Sequence, residues 1–372
     1  MDFTLNDEHE ALRDSARRFL DAEASIAPLL IPGATAETSD YVGLWKKVTE
    51  LGWQGMIIPE SYGGLGMDYV DLIMIVGEIG RTLAPLPFFG NLAGTLAVLA
   101  GGSEDQKSEL LAEVAAGNST LAFAIADEGG SYSSNGNDVL ATQANGGYLL
   151  TGKRGFVVDC ATANKVVVPA KLDGNLEFFI VDTAQSQVNS ELVEWRDITR
   201  QVSAVAFDGA KAERLEGKNA ATVWPFVRDR LYLVLAAESA AGTQAALDDA
   251  VAYAKERVAF GKPIGSFQAI KHQLAEITGQ VGCAIVASQY AAWALSVNDD
   301  KAPMAAAMAQ SYASEAYRDA TYRNIQVFGA IGFTWEMKNH LYYKRSRCNA
   351  ELLGPPAQQR EEVMRMLEQQ AA

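Results

Sequence analysis

Arg257 and Gln268 stand eleven residues apart in the run Arg257-Val-Ala-Phe260-Gly261-Lys-Pro263-Ile264-Gly-Ser-Phe267-Gln268. A helix is expected to end before the Gly261–Pro263 turn, and another to start after it. Such a joint converges a guanidinium and a carboxamide on one ligand. A guanidinium is a bidentate donor for phosphate oxygens. On spacing alone, an ordinary helix joint carrying a surface arginine is the favoured reading. No other group announces chemistry. His9, His272 and His340 stand alone, and no Cys or His pair has metal-ligand spacing.

The elements that position this joint follow from periodicity. Residues 1–118 read as helical. Asn6 or Asp7 caps a first helix carrying Leu12, Phe19 and Leu20, and Ser39 or Asp40 caps a second through Leu51, stopped by Gly52. Further helices are expected over Asp68–Arg81, Asn91–Ala100 and after Ser103. The pattern turns strand-like over 119–215, where LAFAIA, YLLTG, KVVVPA, EFFIV and VSAVAF are separated by Gly, Asn, Asp and Ser. No helices intervene, which predicts a small barrel or sandwich, not a Rossmann sheet. Helical patterning returns over 220–372, with Pro225 and Pro303 read as first-turn prolines and Ser266 as the cap of a helix through Ser296.

Composition sets limits. The 372 residues carry 31 Lys and Arg against 46 Asp and Glu, a formal net charge of −15. An acidic chain without a basic block has no footprint for nucleic acid or an anionic membrane. Cys160, Cys283 and Cys348 are odd in number and far apart, which argues against a disulfide framework and for a reducing compartment. The charged N-terminal stretch lacks the apolar core of a signal peptide. The uncharged run Leu83–Gly102 holds two prolines and four glycines, and reads as a loop and buried helix, not a membrane span. The expected location is cytoplasmic.

The Arg257–Gln268 run resembles a signature of the acyl-CoA dehydrogenase family, R-x-x-F-G-x-P-I-x-x-F-Q. Two further segments share the resemblance: Leu51-Gly52-Trp53 followed by Pro59-Glu60-Ser-Tyr62-Gly63-Gly64-Leu-Gly66, and Gln326-Val327-Phe328-Gly329-Ala330-Ile331-Gly332-Phe333. The last is similar to Q-x-x-G-G-x-G-[FY], with Ala330 for the second Gly. The resemblance covers essentially the whole chain. It implies an N-terminal helical domain, a middle β-barrel or sandwich and a C-terminal four-helix bundle. It also implies FAD as cofactor and an acyl-CoA substrate. In such enzymes a Glu takes the α-proton of the thioester while a hydride passes from the β-carbon to the flavin.

That Glu is not where the family has it. Its usual segment, Tyr-Glu-Gly-Thr-x-Gln, corresponds to Leu352-Leu353-Gly354-Pro355-Pro356-Ala357. Leu353 replaces the Glu, Pro355 the Thr and Ala357 the Gln. The alternative location, on the helix before Arg257, is Leu231. Asp229, Glu238 and Glu351 lie nearby, each displaced by two residues or more, and a two-residue shift on a helix turns a side chain by about 200°. They read first as solvated or paired helix carboxylates, so no catalytic residue and no metal ligand is assigned.

The flavin-cradling segments depart too. T-E-P-x-x-G-S-D becomes Asp127-Glu128-Gly129-Gly130-Ser131-Tyr132, and in G-x-K-x-W-I-T the Trp is Phe156 and the Thr Val158. In the family, those segments hold the flavin ring within one subunit. The Arg, the following Gln and the Q-x-x-G-G segment reach to the pyrophosphate and adenosine of a neighbour's FAD. The resemblance therefore assigns Arg257, Phe260, Gln268, Gln326, Val327, Phe328, Gly329 and Ala330 to the cofactor in this reaching-over role. It points to a heterotetrameric enzyme whose second acyl-CoA dehydrogenase-like subunit carries the Glu, with electron-transfer flavoprotein as acceptor. Ile79–Phe88, Thr334-Trp335-Glu336 and His340-Leu341-Tyr342 resemble the actinobacterial branch acting on steroid side chains. Two readings stay beside this one: a homomeric dehydrogenase whose base has moved to Glu351 or Glu238, and a flavin-free scaffold or acyl-CoA-binding subunit.

Overall fold

The computed structural model describes residues 5–132, 138–144 and 146–371. Met1–Thr4 of the N-terminal stretch and the last residue of the C-terminal region lie outside it. Five helices come first: α1 (Asp7–Glu23), α2 (Tyr41–Glu50), α3 (Tyr69–Thr82), α4 (Phe88–Gly101) and α5 (Glu104–Ala115). All but α4 start at a side chain that accepts from an orphan backbone N–H group. Asn6 and His9 form a reciprocal capping box, Asp40 accepts from the Gly43 N–H, and Ser103 pairs reciprocally with Gln106. After α2, Gly52 takes φ +77°, a conformation glycine adopts without strain. The uncharged run forms α4, which is buried nearly all round.

Seven strands follow: β1 (Leu121–Phe123), β2 (Val139–Ala144), β3 (Gly147–Val158), β4 (Lys165–Leu172), β5 (Asn175–Asp182), β6 (Val188–Leu192) and β7 (Val202–Arg214). The path β4-β2-β3-β7-β5 closes on itself through the β4–β5 pairing, making a five-stranded barrel with β1 added beside β4 and β6 beside β7. The barrel has its own core, including Val166, Val168, Phe179 and Phe207. Its outer face shares a second, larger core with both helical regions, in which Phe123 and Phe178 meet Leu96, Leu231 and Ala291.

The C-terminal region holds α6 (Ala220–Glu256), the two-residue strands β8 (Val258–Ala259) and β9 (Lys262–Pro263), α7 (Gln268–Ser296), α8 (Ala302–Phe328), α9 (Asn339–Glu351) and α10 (Pro356–Ala371). Small residues let the long helices approach: a Cβ on Gly242 of α6 would lie 2.4 Å from the Tyr317 ring of α8. Two capping expectations are corrected. Asn219 caps α6, which puts Pro225 inside the helix, beyond the first turn. Phe267, not Ser266, precedes α7, and the Ser266 hydroxyl donates to the Pro263 carbonyl at 2.7 Å. Pro303 does sit in the first turn of α8. No helix among the described residues is long and apolar enough to cross a membrane.

Candidate functional site

The Arg257 segment folds as a tight hairpin. Val258 pairs with Pro263 and Ala259 with Lys262, leaving Phe260-Gly261 as the two-residue loop. Both loop residues have positive φ, +53° and +76°. That is the pattern of a type I′ turn, which Asn-Gly fills without strain and a phenylalanine does not. The hairpin nevertheless holds the Phe260 ring 94% exposed, edge-on to Phe267 at 6.1 Å. Arg257 ends α6 and Gln268 begins α7; both side chains are exposed and have no polar partner among the described residues.

The end of α8 packs against the same end of α6. Phe328 stacks on Tyr253 at 4.1 Å, and Val327 sits among Ala250, Ala254 and Ile264. Thus Val327 and Phe328 point inward, and their side chains are packed in the bundle. Gln326, Gly329 and Ala330 are exposed. The fold therefore gathers Arg257, Phe260, Gln268, Gln326, Gly329 and Ala330 at one end of the bundle. A free guanidinium with two carboxamides fits the pyrophosphate and adenosine portion of FAD.

The ring-holding segments converge elsewhere. Ala126, Tyr132, Phe156, Val158, Leu352 and Leu353 meet Phe89, Gly90 and Phe123 around a cavity of about 10 Å³. That is room for one water at most. Leu353 is 2% exposed and takes φ +65°, an uncommon conformation for a leucine. Its carbonyl accepts from the Tyr232 hydroxyl at 3.5 Å. An isoalloxazine ring does not fit this space, so the ring-binding side of the chain does not match the cofactor, whereas the bundle end does.

Of the displaced carboxylates, Asp229 and Glu238 are paired and Glu351 is solvated. Leu231 is fully buried in the core. Asp229 accepts from Arg228 at 2.7 Å; burial pushes its carboxyl up and Arg228 opposes the shift. Glu351 is exposed at the end of α9. Glu238 of α6 is buried and accepts from Arg200 at 2.5 Å, Arg345 at 2.6 Å and Asn349 at 3.0 Å. Burial alone would push the Glu238 carboxyl up; the Arg200 and Arg345 charges and the hydrogen bonds outweigh it and hold it at about 2. A carboxylate that acidic is a poor proton acceptor. Arg345 also binds Asp197, and its guanidinium is held above its ordinary value, burial being overcome by Asp197 and Glu238.

This Asp197–Arg345–Glu238–Arg200 network links the β6–β7 connection to α6 and α9, beside a second cavity of about 10 Å³ under Phe89. Sequence reasoning missed it. Its members are spread over the chain, and no local pattern joins them.

Residues 6–118 match the acyl-CoA dehydrogenase N-terminal domain and residues 224–368 the acyl-CoA dehydrogenase C-terminal domain. The chain belongs to the acyl-CoA dehydrogenase family of FAD-dependent oxidoreductases. It is 30% identical over 360 residues to acyl-CoA dehydrogenase IpdE2 of Mycolicibacterium smegmatis, covering 95% of this chain and 97% of that one. The IpdE2 of Mycobacterium tuberculosis is 29% identical over 369 residues, covering 98% of each chain. Among solved structures, a variant of the Tcur3481–Tcur3483 steroid ACAD superposes with a TM-score of 0.87 at 25% identity, over 99% of both chains.

Proposed function

We propose that this chain is the base-lacking subunit of a heteromeric acyl-CoA dehydrogenase that introduces an α,β double bond into a bulky acyl-CoA thioester, with a steroid side chain as the favoured substrate. One observation carries the reading: the centre around Leu353 is closed, while Arg257, Gln268 and Gln326 stand exposed without polar partners among the described residues. A chain built this way contributes to a cofactor held by another chain. FAD, when bound, supplies the hydride acceptor. Arg257 binds its pyrophosphate, Gln268 and Gln326 orient the adenosine portion, and Phe260 covers it from water. The proton-accepting Glu belongs to the partner subunit, a second acyl-CoA dehydrogenase-like chain. Likeness to the Tcur3481–Tcur3483 steroid ACAD supports both the partner and the substrate class. Electron-transfer flavoprotein, carried over from the family resemblance, is the acceptor.

The test is co-expression with a Glu-bearing acyl-CoA dehydrogenase chain, measuring bound flavin, oligomeric state and acyl-CoA oxidation with an artificial acceptor. The chain alone should hold little flavin and show no turnover, and the complex should hold stoichiometric flavin and turn over. Turnover by the purified chain alone would favour a homomeric enzyme. A complex that keeps its FAD and activity after Arg257→Ala combined with Gln268→Ala would favour a scaffold.

A further inference from the structure

A further cavity lies outside both regions described above. It measures about 540 Å³, within the range of about 300–1,000 Å³ that small-molecule sites occupy. Its walls come from three separated segments: residues 34–37 before α2, residues 192–202 around the β6–β7 connection, and Trp335 before α9 with Lys344 within it. Phe156 separates it from the closed centre, lining that centre and contacting Trp195 of this cavity at 5.8 Å between rings.

Two features of the lining point to a ligand. The first is aromatic. Trp195 and Trp335 contribute indoles, beside apolar side chains of Val193, Ile198 and Val202. The Trp195 Nε1 is buried and has no hydrogen-bond partner among the described residues. A buried indole N–H is ordinarily satisfied, so this one marks a missing acceptor.

The second is cationic. Arg196 and Lys344 both line the cavity, and neither forms an ion pair among the described residues. The Lys344 ammonium lies 4.9 Å over the Trp335 ring. Burial holds that ammonium below its ordinary value; Asp197 opposes the shift and the Arg196 charge adds to it. Two unpaired cations near enough to repel one another are stabilised by an anion. The third cation, Arg200, is spent on Glu238 and Asn349. Glu37 and Glu194 also line the space; like Arg196 they are exposed, where water and salt screen all three, so the half-buried Lys344 is the cation least screened from a ligand.

We propose that this cavity is a binding site for an amphipathic organic anion. Its planar or polycyclic apolar body lies between Trp195 and Trp335, and its carboxylate or phosphate faces Arg196 and Lys344. The site needs no flavin and no second subunit, so it stands or falls apart from the function proposed above.

Calorimetric titration of the full chain tests it, with 2-naphthoate and 2-naphthyl phosphate as the anions and 2-naphthalenemethanol as the neutral counterpart. Both anions should bind saturably at one site per chain and quench tryptophan fluorescence; the tighter of the two identifies the head group. The alcohol should bind about tenfold more weakly, the scale of one charge-assisted hydrogen bond. Arg196→Glu changes an exposed, unpaired side chain, so the fold is retained, and anion affinity should fall by about tenfold or more. Leu192→Trp, at the exposed edge strand, should block anions and alcohol alike. Absence of saturable binding, equal affinity for the alcohol, or anion affinity unchanged in both variants would overturn the proposal.

Discussion

Glu238 of α6 and Arg345 of α9 are joined at 2.6 Å, both buried, and each holds a second ion-pair partner from the β6–β7 connection, Arg200 and Asp197. The pair fastens the barrel to the bundle. Removing one member of a buried pair leaves the other uncompensated, which costs about 3–5 kcal/mol. Glu238→Gln is therefore expected to lower the unfolding free energy by about that amount in urea denaturation. A loss below about 1 kcal/mol, the scale of a surface pair, would contradict the network's role.

The same residue sets an acid limit. The folded carboxyl sits at about 2, below its ordinary value of 4.5, so the folded state binds the proton less tightly than the unfolded state. The resulting stability is fully present above about pH 4.5 and is lost as pH falls toward 2. Melting temperature should drop across that window in the wild type, and less steeply in Glu238→Gln.

Under the proposed function, Leu353 stands where the family resemblance places the base. Leu353→Glu should not create acyl-CoA oxidation in the chain alone, because the surrounding cavity admits no flavin ring. It should instead cost several kcal/mol, given the ~2–7 kcal/mol penalty for burying an unpartnered polar group. Flavin content and urea denaturation of the purified variant check both halves. Gained turnover would show that the centre opens.

Phe260 and Arg257 separate stability from assembly. Phe260→Asn places the residue preferred at a type I′ turn and removes an exposed ring, so thermal stability of the isolated chain should rise, by about 1 kcal/mol. FAD retention by the complex should fall. Arg257→Ala should leave isolated-chain stability within about 0.5 kcal/mol, as for other surface changes. It should weaken FAD retention about tenfold or more, the scale of a lost charged hydrogen bond. Equilibrium dialysis of flavin against the complex reads both effects.

Much of the architecture was legible from local chemistry. Asn6, Asp40 and Ser103 announce helix starts because their side chains accept from the backbone, and the β-branched run of β4 announces a barrel strand. Two strands were not. In β2, Ala141 faces inward while Leu140 is exposed, so polarity does not mark the faces. The edge strand β6, Val-Asn-Ser-Glu-Leu, is almost entirely solvated and looks like a loop. Leu353 in place of an expected Glu is a reading the sequence offers, since it concerns one residue type at one place. The closing of the space around it was not legible, because that depends on Phe89, Tyr132 and Phe156 arriving from three distant segments. The Trp195–Trp335 cavity was hidden for the same reason.

The filled space around Leu353 has a consequence for redesign. Placing Glu at that single position leaves Phe156, Val158 and Tyr132 still occupying the volume, so the exchange inters a charge without making room for a planar ring system. Opening this centre requires several of these residues to change together.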